Sequence, residues 1–332
     1  HYQLTFHSRH KKLITESYLT HILDQGKEIA IRRRQRKLFT NVNDSSSSYG
    51  GKSTLWSHIE FNHPATFDTL AMEKSKKQAI INDIVRFSNA KDYYKKIGKP
   101  WKRGYLLYGP PGTGKSTMIV VMANLLGYDI YDLELTAVKD NTQLRRLLIE
   151  TSSKSIIVIE DIDCSLDLTG QRSSQMKEDK DKDNEDGLLN FIDGIWSACG
   201  EERLIIFTTN YIEKLDPALI RKGRMDVHIE LSYCSYEAFK VLAWNYLDVE
   251  SHPLFERIKR LLEETKMTPA DVGENLMPKL LELDVDASLE NLVRALEKAR
   301  EDDQLKAEQE EKEKLKAKVE ELEEDENKLI LI

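Results

Sequence analysis

At 332 residues the chain is long enough for two or three domains with cores of their own, and its formal net charge of -8 argues against a general nucleic-acid binder, because phosphate affinity needs a basic face. No stretch approaches the ~18 apolar residues that a membrane-spanning helix needs, and no secretory signal is visible. The three cysteines, Cys164, Cys199 and Cys234, are far apart, odd in number and without C-x-x-C spacing, so neither a disulfide framework nor a zinc site follows, which points to a reducing compartment.

Taken in chain order, the first residues (Tyr2-Gln-Leu-Thr-Phe6) read as the continuation of a pattern, which predicts an upstream segment able to hold a targeting signal or an anchor. Tyr18, Leu19, Ile22, Leu23 and Ile29 recur at helical spacing and predict an amphipathic helix over 16–30. The run Arg32-Arg33-Arg34-Gln35-Arg36-Lys37 reads as a solvated face or charged rim, and Leu38–Asn41 as a strand. Residues 1–65 are therefore expected to form a small α/β N-terminal domain. A Gly-Lys-Ser-Thr at 51–54 imitates a phosphate-binding loop, but position 46 is Ser46 where a glycine is needed; a flexible surface loop is the better reading.

From 66 to 232 strands alternate with helices: Tyr105–Tyr108, Tyr128–Leu133, Ser155–Ile159, Leu204–Thr208 and Val227–Leu231. That alternation predicts a five-stranded parallel sheet covered by helices on both faces. The first strand runs into Gly109-Pro110-Pro111-Gly112-Thr113-Gly114-Lys115-Ser116-Thr117, which satisfies G-x-x-x-x-G-K-[ST], and an apolar helix ended by Gly127 comes next. Strand, loop and helix in that order are the context a nucleoside triphosphate site requires. Glycines let the backbone turn its N–H groups inward onto phosphate oxygens, Lys115 reaches the β- and γ-phosphates, and Ser116 offers a hydroxyl to Mg²⁺.

A triphosphate cradle alone fits kinases, switches and motors, so the residues downstream of it discriminate between them. Ser155–Ile159 ends in Glu160-Asp161-Ile162-Asp163, which puts carboxylates at the carboxyl end of the sheet: one to hold Mg²⁺, its neighbour to polarise the attacking water. Residues 171–186 form a charged insertion without apolar content, expected to be mobile. Leu204–Thr208 leads to Asn210, whose amide suits both a γ-phosphate and a water. Arg221 and Arg224 then lie three apart at the end of a short helix. An arginine brought to a transferring phosphoryl group is worth on the order of 10³ in rate, and a pair facing outward here would serve a neighbouring subunit.

Residues 233–300 read as helices only, with a stripe of Leu289, Leu292, Val293 and Leu296, and predict a small helical lid. Beyond it, 301–332 is a charged tail with too few apolar positions for a coiled-coil seam, expected to be a solitary helix or disordered.

The set resembles the AAA ATPase family, with Gly109–Thr117 as Walker A, Ile156–Asp161 as Walker B, Asn210 as sensor 1, and Arg221 and Arg224 as arginine fingers. The segments Glu60–Met72, Trp101–Tyr105, Ile159–Leu168 and Gly223–His228 are similar to the Bcs-type branch, particularly its plant members. The resemblance implies a homo-oligomeric ring, hexamer or heptamer, that uses ATP and Mg²⁺ and acts on a protein client. It also implies a tether through an N-terminal membrane helix absent from this chain, in a mitochondrial membrane first and the endoplasmic reticulum second. By position Glu160 takes the metal-side role with Ser116, and Asp161 the water-polarising role, a reversal of the family's usual Asp-Glu order that predicts slow turnover. The segment Thr136–Thr142, where threading members carry an aromatic pore loop, has no aromatic, which favours a folded or assembled client. The competing expectation is a nucleotide-gated protein-binding scaffold with negligible mechanical work; a small-molecule kinase would leave the two arginines unexplained.

Overall fold

The computed structural model describes residues 4–23, 25–26, 35–41, 55–138, 140–163, 202–278, 284–305 and 309. The charged insertion 171–186, the Gly51–Thr54 loop, Cys164, Cys199 and most of the tail beyond 305 lie outside the described residues. The described part of the first predicted helix is helical, with a π-turn at Ile14–Tyr18, and Tyr18, Leu19, Ile22 and Leu23 of its stripe are exposed.

Seven strands form one sheet in the order β2-β1-β4-β5-β6-β3-β7. The five predicted parallel strands are β3 (Lys102–Tyr108), β4 (Asp129–Asp132), β5 (Ser155–Ile159), β6 (Arg203–Thr209) and β7 (Val227–Glu230). The prediction of five strands needs correction, because two short strands from the N-terminal region extend the same sheet. β1 (Lys37–Thr40) lies parallel to β4, pairing Leu38 with Ile130, and β2 (Ser57–Glu60) lies antiparallel outside β1. The physical reason is the open edge of β4, whose backbone donors and acceptors need a partner. Side chains fix the match: Phe39 stacks on Tyr131 at 4.3 Å between centroids, and the indole N–H of Trp56 donates to the Leu147 carbonyl at 3.0 Å.

Strand alternation builds two apolar layers. Tyr105, Leu107, Ile156, Val158, Leu204 and Ile206 point to one face, covered by α1 (Lys74–Ser88) and α3 (Lys115–Leu126). Between these helices lies the short α2 (Lys91–Lys96). Leu106, Ile157, Ile159, Ile205 and Phe207 point to the other face, beneath α4 (Asn141–Ile149) with its Leu144, Leu147 and Leu148. Met118 and Met122 of α3 are fully buried packing residues.

A third apolar cluster belongs to the C-terminal helices α5 (Tyr236–Leu247), α6 (Phe255–Glu264), α7 (Pro269–Leu276) and α8 (285–305). The predicted stripe Leu289, Leu292, Val293 and Leu296 is buried there against Phe239, Ile258 and Val272. Two of these helices begin on residues suited to capping. Ser235 caps α5 by accepting from the Ala238 N–H, and Thr268 with Asp271 closes a capping box at α7 ahead of Pro269.

The sheet order also locates a crevice. β3 is flanked by β6 and β7, yet the chain leaves it for β4, beyond β5 and β6. Such a reversal leaves room at the carboxyl ends of the strands, the usual place for a ligand in an open parallel sheet.

Candidate active site

The loop after β3 turns on three glycines in left-handed or mirror conformations: Gly109 at φ 137°, Gly112 at φ 77° and Gly114 at φ 96°. Thr113 closes the loop from inside, its hydroxyl donating to the Pro110 carbonyl at 2.8 Å. Gly114 stands at the N-terminus of α3 and no side chain caps that helix end. The first N–H groups of α3 thus remain for an anion, which the helix dipole also favours.

The Lys115 ammonium bends back over the loop. It donates to the carbonyls of Gly109 at 2.8 Å and Pro110 at 3.1 Å, and to Oδ1 of Asn210 at 2.6 Å. Burial draws its pKa down, while Asp161, Asp163 and Glu160 pull the other way. A cation held among oxygen acceptors is the arrangement that phosphate oxygens would complete.

The carboxylates stand where the sequence places them. The Ser116 hydroxyl donates to Oε1 of Glu160 at 3.2 Å, and Nδ2 of Asn210 donates to Oδ1 of Asp161 at 3.3 Å. Lys115, Asn210 and Asp161 therefore form one continuous chain of hydrogen bonds. Asp161 adopts φ 46°, a left-handed conformation that aspartate tolerates better than most residues, and its N–H donates to Thr208 Oγ1 at 3.0 Å. Strained backbone of this kind gathers at functional sites. Nearby, burial pushes the Asp132 carboxyl up to about 6, with the charges of Glu160 and Glu134 adding to the effect.

Mg²⁺ fits this donor set. It prefers hard oxygen ligands and is held through one or two carboxylates together with substrate phosphates. Ser116 and Glu160 supply a hydroxyl and a carboxylate side by side, and among the described residues no cluster of three or more His, Cys, Asp or Glu forms a separate metal cage.

Sequence reasoning missed the wall opposite the phosphate loop. A cleft of about 630 Å³ is bounded by Gly112–Thr117 on one side and by Thr69, Leu70, Ala71, Leu242, Asn245, Tyr246 and Ala270 on the other. It lies between core and helical lid, and its apolar lining suits a flat base. Two bonds lock the halves together: Ala270 N–H to the Gly112 carbonyl at 3.1 Å, and the Asn245 amide to the Thr69 carbonyl at 2.8 Å. These residues carry no linear motif, so only the docking of α5 and α7 brings them together.

The two arginines divide. Arg221 is exposed, as expected, but Arg224 is only 8% exposed and does not face outward. The reason is the tight approach of its backbone to β3, where a Cβ on Gly104 would lie 1.7 Å from the Arg224 carbonyl oxygen. Asp226 fastens the same segment, accepting from Gly104 N–H at 3.0 Å and Gly223 N–H at 3.0 Å. Gly104 sits near the start of β3 and Gly109 comes just after its end, so at ~3.3 Å per residue the arginine segment enters the sheet about 16 Å from the chain's own phosphate loop.

Comparison with known proteins gives a consistent picture. Residues 105–233 match the family described as "ATPase family associated with various cellular activities (AAA)", and residues 234–329 match the "At3g28540-like, AAA+ ATPase lid domain". The chain is 61% identical over 309 residues to AAA-ATPase At3g28600 of Arabidopsis thaliana, covering 89% of this chain and 65% of the relative. It is 60% identical over 325 residues to AAA-ATPase At5g40000, covering 94% and 68%, and 61% identical over 325 residues to "AAA-ATPase ASD, mitochondrial", covering 90% and 63%, both of the same plant. The chain thus spans about two thirds of the length of these relatives.

Proposed function

The chain belongs to the AAA ATPase family, and from that premise we propose that it is a subunit of an ATP-hydrolysing ring that remodels or translocates a protein client at a membrane. The observation that carries this reading is the convergence of Lys115, Asn210 and Asp161 beside the Ser116–Glu160 pair. In it, Gly109 to Thr117 cradle the phosphates and Lys115 exchanges its carbonyl and amide partners for β- and γ-phosphate oxygens. Asn210, released from Lys115, orients the attacking water, and Asp161 polarises it. Mg²⁺, held by Ser116 and Glu160, would neutralise charge developing on the phosphates. Arg221 stabilises the transferring phosphoryl group of a neighbouring copy, because its own segment lies at the far end of the sheet.

The working division is 1–65, whose strands β1 and β2 join the sheet of the core, then 66–232, 233–300 and 301–332, with nucleotide bound between the second and third parts. The contacts of Gly112 with Ala270 and of Thr69 with Asn245 give the lid a path to sense the phosphate loop. A folded or assembled client is favoured by the lack of an aromatic in Thr136–Thr142. The mitochondrial name of one relative supports a mitochondrial location, with the endoplasmic reticulum second; the membrane is part of the proposal. Among the described residues no helix is long and apolar enough to cross a membrane, so the tether would be a segment beyond them.

The test pairs binding with turnover. Lys115→Ala is expected to weaken ATP binding at least tenfold, about 1.4 kcal/mol. Asp161→Asn should hold ATP as tightly as the wild type while turnover falls by about 10² or more. Equal affinity in Lys115→Ala, or undiminished hydrolysis in Asp161→Asn, defeats the assignment.

A further inference from the structure

Beyond the carboxylates assigned to metal and water, a third acid stands at the end of β5. We propose that Asp163 is the positioning residue that fixes Asn210, and through it the geometry of hydrolysis; this rests on the ATPase reading above. Whereas Glu160 and Asp161 are exposed, the turn after β5 carries Asp163 inward until it is only 3% exposed. Burying a carboxylate is costly unless its oxygens are satisfied. Here Oδ1 accepts the Thr209 hydroxyl at 2.7 Å and the Asn210 N–H at 3.4 Å. Thr209 Oγ1, itself fully buried, accepts in turn from the Tyr211 N–H at 3.0 Å. Residues 209, 210 and 211 therefore hang from one buried carboxylate.

What hangs there is the hinge of the site. The Asn210 side chain reaches Lys115 with its oxygen and Asp161 with its nitrogen. Its backbone sits just past the end of β6, where strand pairing no longer holds it. Without Asp163 the Thr208 hydroxyl, which accepts the Asp161 N–H, and the Asn210 side chain would still join the ends of β5 and β6, but the Asn210 N–H would lose its buried carboxylate. A displacement of about 1 Å in a group that orients a reactant costs on the order of 10² in rate. Two bonds of Asp163 Oδ1 run to Thr209 and Asn210, and its charge also acts on Lys115.

The experiment measures Mg²⁺-dependent ATP turnover and binding of a fluorescent ATP analogue, on the full chain, for wild type, Asp163→Ala, Asp163→Asn and Thr209→Val. Asp163→Ala should lower kcat by about 10² with KM and analogue affinity within about twofold, the signature of lost orientation. Asp163→Asn keeps an oxygen that accepts the same two bonds and should recover to within about threefold of wild type. Thr209→Val removes one of the two bonds and leaves the Asn210 N–H on Asp163, so its kcat should fall part of the way toward that of Asp163→Ala, and the double variant should be no worse than Asp163→Ala. If Asp163→Ala does not fold, Thr209→Val and Asp163→Asn carry the test. Unchanged kcat in Thr209→Val, or Asp163→Asn falling as far as Asp163→Ala, overturns the positioning role. A wild-type chain without Mg²⁺-ATP turnover at any concentration would instead defeat the ATPase reading itself.

Discussion

Gly104 shows how a single missing side chain can hold two distant segments together. Its backbone exchanges bonds with Asp226, accepting the Asp226 N–H at 2.9 Å and donating to Oδ2 at 3.0 Å, while the Arg224 carbonyl fills the space a Cβ would take. Gly104→Ala is expected to push the arginine segment off β3 and to destabilise the fold by about 1–3 kcal/mol, read as a lower midpoint in thermal or denaturant melts. A melt indistinguishable from wild type would show that the segment shifts freely. At this scale the sequence was most legible where chemistry is local: Gly109 to Ser116, Glu160, Asp161 and Asn210 all lie where their motifs put them. Gly104, Asp163 and Thr209 were not legible, because their meaning lies in partners far along the chain, 122 positions away for Gly104 and Asp226. The outward reading of Arg224 failed for the same reason.

Elements were readable where one period dominates. The buried runs of β5 and β6 and the apolar α3 announce themselves, and Leu38–Asn41 was readable as a strand, whereas the place of β1 beside β4, with β2 outside it, follows from the edge that β4 offers. The amino end of β6 carries a further feature that no motif marks. Glu202, 5% exposed, accepts from the Tyr128 hydroxyl, and its backbone carbonyl receives the Lys154 N–H at 2.9 Å. Burial pushes the Glu202 carboxyl up to about 7 against the opposing pull of Lys91. A carboxyl whose folded pKa exceeds its unfolded value of 4.5 lends stability that is complete below that value and is lost as pH rises through about 7. Melting temperature should therefore fall between pH 4.5 and 7.5 by an amount that Glu202→Gln largely removes. Parallel pH profiles for the two proteins would refute this account.

At the scale of the molecule, core and lid border the cleft proposed for the nucleotide, and the arginine segment lies at the other end of the same sheet. The two ends are mechanically joined: β3 runs from Gly104, clamped to Asp226, to Gly109, whose missing Cβ admits the Leu231 carbonyl oxygen at the end of β7. β3 and β7 thus give a continuous path of contacts from the phosphate loop to the segment that carries Arg221. If that arginine acts on a neighbour, hydrolysis must depend on assembly. Specific ATPase activity should rise with protein concentration, and Arg221→Ala should lower kcat by on the order of 10³ while ATP binding persists. Arg224→Ala, buried as it is, should instead lower the melting temperature first. Mixing Arg221→Ala with Lys115→Ala subunits gives the sharper reading, since an intact cradle from one would meet an intact arginine from the other and activity should return. Specific activity that stays constant down to monomer, or a mixture as inactive as its parts, would place the catalytic arginine elsewhere.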